Sequence, residues 1–258
     1  MLIDSHCHLN YKGLVEDQQG ALHRARAAGV GAFLNISTRQ REWADVVGIA
    51  EREPDVWASV GIHPHEADAH ADLGEGVLLE AAAHPRVVAI GETGLDYFYD
   101  HSDRTTQQAL FRVHIAVARI TGLPLIVHTR DAEEDTARII AEEMEQGAFP
   151  ALIHCFTASA EFGRQMLDLG LTISLSGIVT FKNARDLQAM AQEIPEDRLL
   201  VETDSPFLAP VPHRGRPCEP AFVADTARFV AALRGVSAEA LAETTTRNFY
   251  RLFSKAAA

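Results

Sequence analysis

The first apolar run of the chain closes with two histidines two residues apart, in Ile3-Asp4-Ser5-His6-Cys7-His8. If that run is a strand, period-two alternation turns His6 and His8 to one side and Cys7 to the other, so both imidazoles can grip one cation. Groups of the same kind close four more apolar runs: Glu92 after Val88-Ala89-Ile90-Gly91, His128 after Leu125-Ile126-Val127, His154 after Leu152-Ile153, and Asp204 in Leu200-Val201-Glu202-Thr203-Asp204. One charged residue leaving an apolar strand is ordinary, but six donors at strand ends point to a common site. Four imidazoles and two carboxylates suit divalent ions of the zinc or manganese kind, while magnesium would lean on the carboxylates. Six donors are more than one tetrahedral ion takes, and a carboxylate can bridge two. One ion then takes His6, His8, Asp204 and an oxygen of Glu92; the other takes His128, His154 and the second oxygen of Glu92. The only lysines, Lys12, Lys182 and Lys255, do not end the fourth run, which leaves Glu92 as the bridge. Glu202 shares a face with Asp204 and is a candidate to orient a ligand.

The elements that would position these groups alternate along the chain. Strands are expected at Leu2–His8, Ala32–Ser37, Val56–Ile62, Val87–Gly91, Leu123–His128, Ala151–Cys155, Leu171–Leu175 and Leu199–Glu202. Helical spacing lies between them, clearest over Thr106–Thr121, where Ala109, Leu110, Val113, Ala116, Val117 and Ile120 recur three or four apart, and again over Asp131–Glu145. Eight apolar strands alternating with helices imply a parallel sheet covered by helices. Over 258 residues this is the size of a single-domain α/β (β/α)8 TIM-like barrel, residues 1–258, whose chemistry lies at the carboxyl ends of its strands. A doubly wound open sheet would want a Gly-rich fingerprint after the first strand, which is absent. Ser205–Pro220 holds five of the 11 prolines and reads as a long ordered loop on the catalytic face.

Composition narrows the function. With 36 Asp+Glu against 23 Lys+Arg the formal charge is −13, which argues against a general nucleic-acid coat or docking on anionic lipid. No apolar run is long enough for a membrane span, and no stable protein partner is expected. Three cysteines without a CxxC pair, and an N-terminus without a secretory layout, point to a reducing cytoplasm.

The chain resembles the TatD-type metal-dependent deoxyribonucleases within the amidohydrolase-like barrels. The resemblance runs from Asp4-Ser5-His6-Cys7-His8 through Val60-Gly61-Ile62-His63-Pro64-His65, Ile90-Gly91-Glu92-Thr93-Gly94-Leu95-Asp96-Tyr97 and His128-Thr129-Arg130-Asp131-Ala132. It continues through His154-Cys155-Phe156, residues 176–184 and Glu202-Thr203-Asp204-Ser205-Pro206 to Asn248-Phe249. It implies a TIM-like barrel binding two divalent cations through residues matching His6, His8, Glu92, His128, His154 and Asp204, and phosphodiester hydrolysis on DNA, commonly from a strand end. The chain departs from the family pattern at Cys218, where members usually carry Asn, and at Pro217, where a basic residue is common.

The expected activity is therefore a deoxyribonuclease in which a metal-activated water attacks phosphorus, with Glu92 and Asp204 as catalytic carboxylates and Asp204 taking the proton. His63, His65, Arg130 and Arg214 are candidates to hold phosphate. The acidic charge is compatible with an enzyme gripping a few nucleotides of a DNA end beside two ions (Mg, Mn or Zn). A dinuclear amidohydrolase or lactonase is the alternative enzyme. A non-catalytic binding barrel ranks lower, because aromatics are only 7% of the chain and no basic stripe is visible. Tyr97 and Phe156 could stack on a base or simply pack.

Overall fold

A computed structural model describes residues 1–257; only Ala258 lies outside it. Eight strands form one parallel sheet in chain order: β1 Leu2–Cys7, β2 Val30–Asn35, β3 Val56–Val60, β4 Val87–Asp96, β5 Leu125–Arg130, β6 Ala151–Ile153, β7 Thr172–Leu175 and β8 Leu199–Val201. The barrel closes between β8 and β1. His8 N donates to Ser205 O and Asp204 N to His6 O, both at 2.9 Å, and Cys7 pairs with Ser205 in a parallel bridge. Helices on the outside cover the sheet: α1 Gln18–Ala27, α2 Trp43–Arg52, α3 Glu75–Ala82, α4 Arg104–Thr121, α5 Glu133–Gln146, α6 Ala160–Asp168, α7 Arg185–Glu193, α8 Val223–Arg234 and α9 Ala238–Leu252. Buried Val, Ile and Leu on both faces of the strands make the continuous core expected of a parallel barrel.

Two strands differ from their sequence expectation in ways that matter for the site. β4 is ten residues long and runs through Glu92 to Asp96, where an end at Gly91 was expected. β5 begins after Pro124 and reaches Arg130. Together β4 and β5 stay paired from Ile90↔Leu125 to Asp96↔Arg130, with a register shift between Ile90 and Thr93. Gly94 permits this closeness: its φ is +136°, and a Cβ there would lie 2.0 Å from the His128 carbonyl oxygen. α4 starts at Arg104, two residues before the expected Thr106, because Asp103 caps it, accepting from Thr105 N and Thr106 N, and it stops at left-handed Gly122. Its inward face differs from the expected stripe. Ile120 is exposed, whereas His114 is fully buried among Leu110, Phe111, Ile115 and Val117.

Candidate metal centre

His6 and His8 leave the end of β1 towards the barrel mouth and meet Asp204, from the turn after β8, and Glu92, from β4. His6 Nε2 lies 3.3 Å from His8 Nε2, 3.3 Å from Glu92 Oε2 and 3.6 Å from Asp204 Oδ1. His8 Nε2 lies 3.3 Å from Asp204 Oδ1 and 3.9 Å from Glu92 Oε2. Donors placed about 2.05 Å from a tetrahedral ion stand about 3.3 Å from one another, so this nest has the dimensions of a first coordination sphere. Its chemistry agrees. His8 Nδ1 donates to the Ile36 carbonyl at 3.2 Å, which leaves the Nε2 lone pair facing its neighbours, and a cation or a proton must lie between such groups. Burial alone would lower the His8 pKa, but Asp204 outweighs it and holds it above the ordinary value. Burial and the neighbouring His154 lower that of His6.

The other oxygen of Glu92 faces a second nest. His154 Nε2 is 2.8 Å from Glu92 Oε1, His128 Nδ1 3.1 Å and His63 Nε2 3.4 Å. A carboxylate behind each of the first two rings sets its tautomer. Glu202, fully buried and bonded to Ser174 Oγ, lies 3.3 Å from His154 Nδ1. Asp96 Oδ2 lies 3.0 Å from His128 Nε2. With the far nitrogen donating, the near lone pair is turned to the nest, the carboxylate–histidine arrangement that supports metal binding. Burial would push the Glu92 carboxyl up, but His154, His63 and His128 hold it well below its usual range. In return, against burial, Glu92 and Glu202 carry His154 well above the ordinary histidine value.

His63 differs from its neighbours in this nest. Its Nδ1 accepts the backbone N–H of His65 at 3.1 Å, so the neutral ring carries its proton on Nε2, and burial holds its pKa well below 6.5. His63 therefore presents an N–H donor to the nest, not a lone pair.

The two nests form the floor of a cavity of about 700 Å³, lined also by His65, Asp96, Tyr99, Arg130 and Phe207. Arg130 has no carboxylate partner among the described residues; its guanidinium lies 3.9 Å from the centre of the Phe98 ring and 4.7 Å from that of Tyr99. His65 Nε2 sits 3.0 Å from Asp96 Oδ2. Arg214 is not brought to the site: it lies over Phe181, 4.4 Å from the ring centre, outside the cavity lining. Tyr97 and Phe156 are packing residues. The Tyr97 hydroxyl donates to Asp135 at 2.8 Å, and Phe156 is buried.

Two carboxylates of the site were not singled out from sequence. Asp96 ends β4 four residues after Glu92, an even spacing on a strand and the available signal for a shared face. Asp4 is buried at the β1–β8 seam, accepting from His6 N at 3.3 Å, Thr203 N at 2.9 Å and Thr203 Oγ1 at 2.6 Å. It ties the strand carrying His6 to the turn carrying Asp204, where Asp204 itself takes a left-handed φ of +56°. Burial pushes the Asp4 carboxyl up to about 8, against the three donors aimed at it.

The family description "TatD related DNase" matches residues 3–254. This chain belongs to the TatD family. It is 45% identical over 255 residues, covering 98% of this chain and 95% of the relative, to the uncharacterized metal-dependent hydrolase YcfH of Escherichia coli K12. It is 34% identical, with 92% of each chain covered, to the 3'-5' ssDNA/RNA exonuclease TatD of Musicola paradisiaca. The crystal structure of the TatD homolog YjjV from Escherichia coli K12 superposes with a TM-score of 0.90 at 29% identity, covering 98% of both chains. The chain is thus a metal-dependent hydrolase of this family on a TIM-like barrel, with clusters of His and Glu able to hold metal.

Proposed function

We propose that the chain is a divalent-metal-dependent deoxyribonuclease that hydrolyses phosphodiester bonds at DNA strand ends, using two cations (Mg, Mn or Zn) held by His6, His8, Glu92, His128, His154 and Asp204. The observation that carries this reading is the pair of donor nests sharing Glu92, one at each carboxylate oxygen. Once bound, two such ions supply a water of lowered pKa and neutralise charge developing on the phosphoryl oxygens. Asp204 takes the water's proton. Burial would raise its carboxyl pKa, but His8 and His6 keep it lowered, so it is ionised and available. Glu92 holds the two nests in fixed relation. His63 donates its Nε2–H to a phosphate oxygen, and Arg130, which has no carboxylate partner among the described residues, supplies a cation where the next phosphate arrives. His65 orients this side of the site through Asp96, and Arg214 can reach only nucleotides beyond the cavity. The exonuclease activity named for the Musicola relative supports a nucleic-acid substrate. Three free thiols fit a reducing compartment, and we assign the enzyme to the cytoplasm. No helix among the described residues is long and apolar enough to cross a membrane.

The test is to strip the chain of metal, reload it with Mg, Mn or Zn, and assay single-stranded DNA, duplex DNA, RNA and a panel of amides and lactones. Metal-dependent release of nucleotides from DNA ends is the expected result. Turnover of an amide or lactone with none of any phosphodiester would replace this reading with a small-substrate hydrolase.

A further inference from the structure

Among the described residues, the most exposed large aromatic side chains all stand at one end of the barrel: Phe98 at 52%, Tyr99 at 48% and Phe207 at 50% exposed. An exposed apolar cluster at a catalytic mouth marks a binding surface. Tyr99 and Phe207 both line the cavity. Tyr99 follows β4 and Phe207 follows β8, strands on opposite sides of an eight-stranded barrel, so the rings flank the metal nests. Neither ring is loose. Phe98 N and Tyr99 N both donate at 3.1 Å to Asp96 Oδ1, the carboxylate whose other oxygen holds His128. Tyr99 is also backed by the nearly parallel His101 ring, 5.4 Å between centroids and 2° between planes. Phe207 meets Tyr11 edge-on at 6.1 Å. Arg130 lies against Phe98 and Tyr99, placing a cation beside the first platform.

Resting on the deoxyribonuclease reading above, we infer that Tyr99 and Phe207 are stacking platforms for the two bases flanking the scissile phosphate. A ring takes a base face only when that base has left its neighbour, which a strand end can do cheaply and an intact duplex cannot. Arg130 then meets the phosphate next to the base on Tyr99. Aromatic stacking is tolerant of sequence because every base has a π face, so the two platforms hold bases without reading their sequence.

The test compares kcat/KM for a short single-stranded oligonucleotide with that for the same backbone made abasic at the two end positions. Wild-type enzyme should prefer the base-bearing strand by about tenfold or more. That ratio should fall about tenfold in Tyr99→Leu and in Phe207→Leu, and stay at the wild-type value in Ile120→Ala, a change at an exposed apolar position remote from the mouth. A ratio unchanged in both Leu variants overturns the inference, as does equal loss on base-bearing and abasic strands. Binding of an oligonucleotide carrying 2-aminopurine at its end separates this failure from failure of the nuclease reading. Fluorescence quenching by the wild type that is lost in the Leu variants supports the platforms even without turnover, and quenching that persists in both overturns them.

Discussion

Replacing Asp96 by asparagine changes almost nothing in shape and turns the acceptor that faces His128 and His65 into a donor. The Asp96 Oδ1 oxygen accepts from Phe98 N and Tyr99 N, and the Oδ2 oxygen faces His128 Nε2 and His65 Nε2, each at 3.0 Å. Burial would raise this carboxyl's pKa, but His128, His65 and the backbone N–H of Tyr99 hold it far below its usual range, so it is an acceptor at every working pH. In Asp96→Asn the carbonyl keeps the two backbone donors, and an NH2 group occupies the place of Oδ2. His128 must then accept at Nε2 and carry its proton on Nδ1, where it opposes Glu92 and blocks the lone pair needed in the second nest. Loss of such a supporting carboxylate weakens metal binding about 10- to 100-fold, or about 1.4–2.7 kcal/mol. His8 and Asp204 do not touch Asp96, so the first nest should keep its affinity. Isothermal titration of the metal-stripped variant with Mn²⁺ should show one weakened binding step beside one unchanged. Wild-type affinity at both steps, or an equal loss at both, would refute the role assigned to Asp96.

Three further outcomes follow from the same geometry. Asp204→Asn should abolish turnover on single-stranded DNA while leaving the circular dichroism spectrum unchanged, and a variant that retains near-normal hydrolysis would remove Asp204 from the chemistry. Gly94→Ala places a side chain at φ +136° and a Cβ 2.0 Å from the His128 carbonyl, so it should destabilise the fold by about 3 kcal/mol, read as a lowered urea midpoint; an unchanged midpoint would show that β4 and β5 separate freely here. His114 is fully buried, donating from Nδ1 to Leu110 O at 2.8 Å and accepting the Ile62 N–H at Nε2, and burial lowers its pKa from 6.5 to about 4. Because the unfolded chain binds this proton first, stability should fall as pH drops from 6.5 to 4, by about 3 kcal/mol from this residue. Urea titrations across that range should show a shallower fall in His114→Gln, and identical slopes would refute it.

The barrel was legible because its signals are local and repeated. Eight short apolar runs appear in the structure as the eight strands of the barrel, and the side chains of His6, His8, Glu92, His128, His154 and Asp204 lie together at its mouth. The misses share a cause. Asp96 lay in an unbroken Gly-rich stretch, where nothing local shows that β4 continues past Glu92 and pairs with β5 as far as Arg130. His114 sits on the inward face of α4 in place of the exposed Ile120 because Leu110 O and Ile62 N satisfy its ring, and the second of these partners belongs to another element. Arg214 was expected at the phosphate and instead lies over Phe181, since the fold of the loop after β8 decides which of its side chains face the cavity.

By itself, then, the sequence determined the number and order of the strands and which residues are candidate donors, because hydrophobic periodicity and residue chemistry are written along the chain. What tertiary structure alone decided is the assignment of each atom. Glu92 divides its two oxygens between two nests. His63 enters one of them as a hydrogen-bond donor and not as a lone pair, because the backbone of His65 occupies its other nitrogen. Tyr99 and Phe207 stand open at the mouth while Tyr97 and Phe156 pack away. Tautomers, second partners and exposure depend on neighbours distant in the chain, and only the closed barrel brings those neighbours within reach.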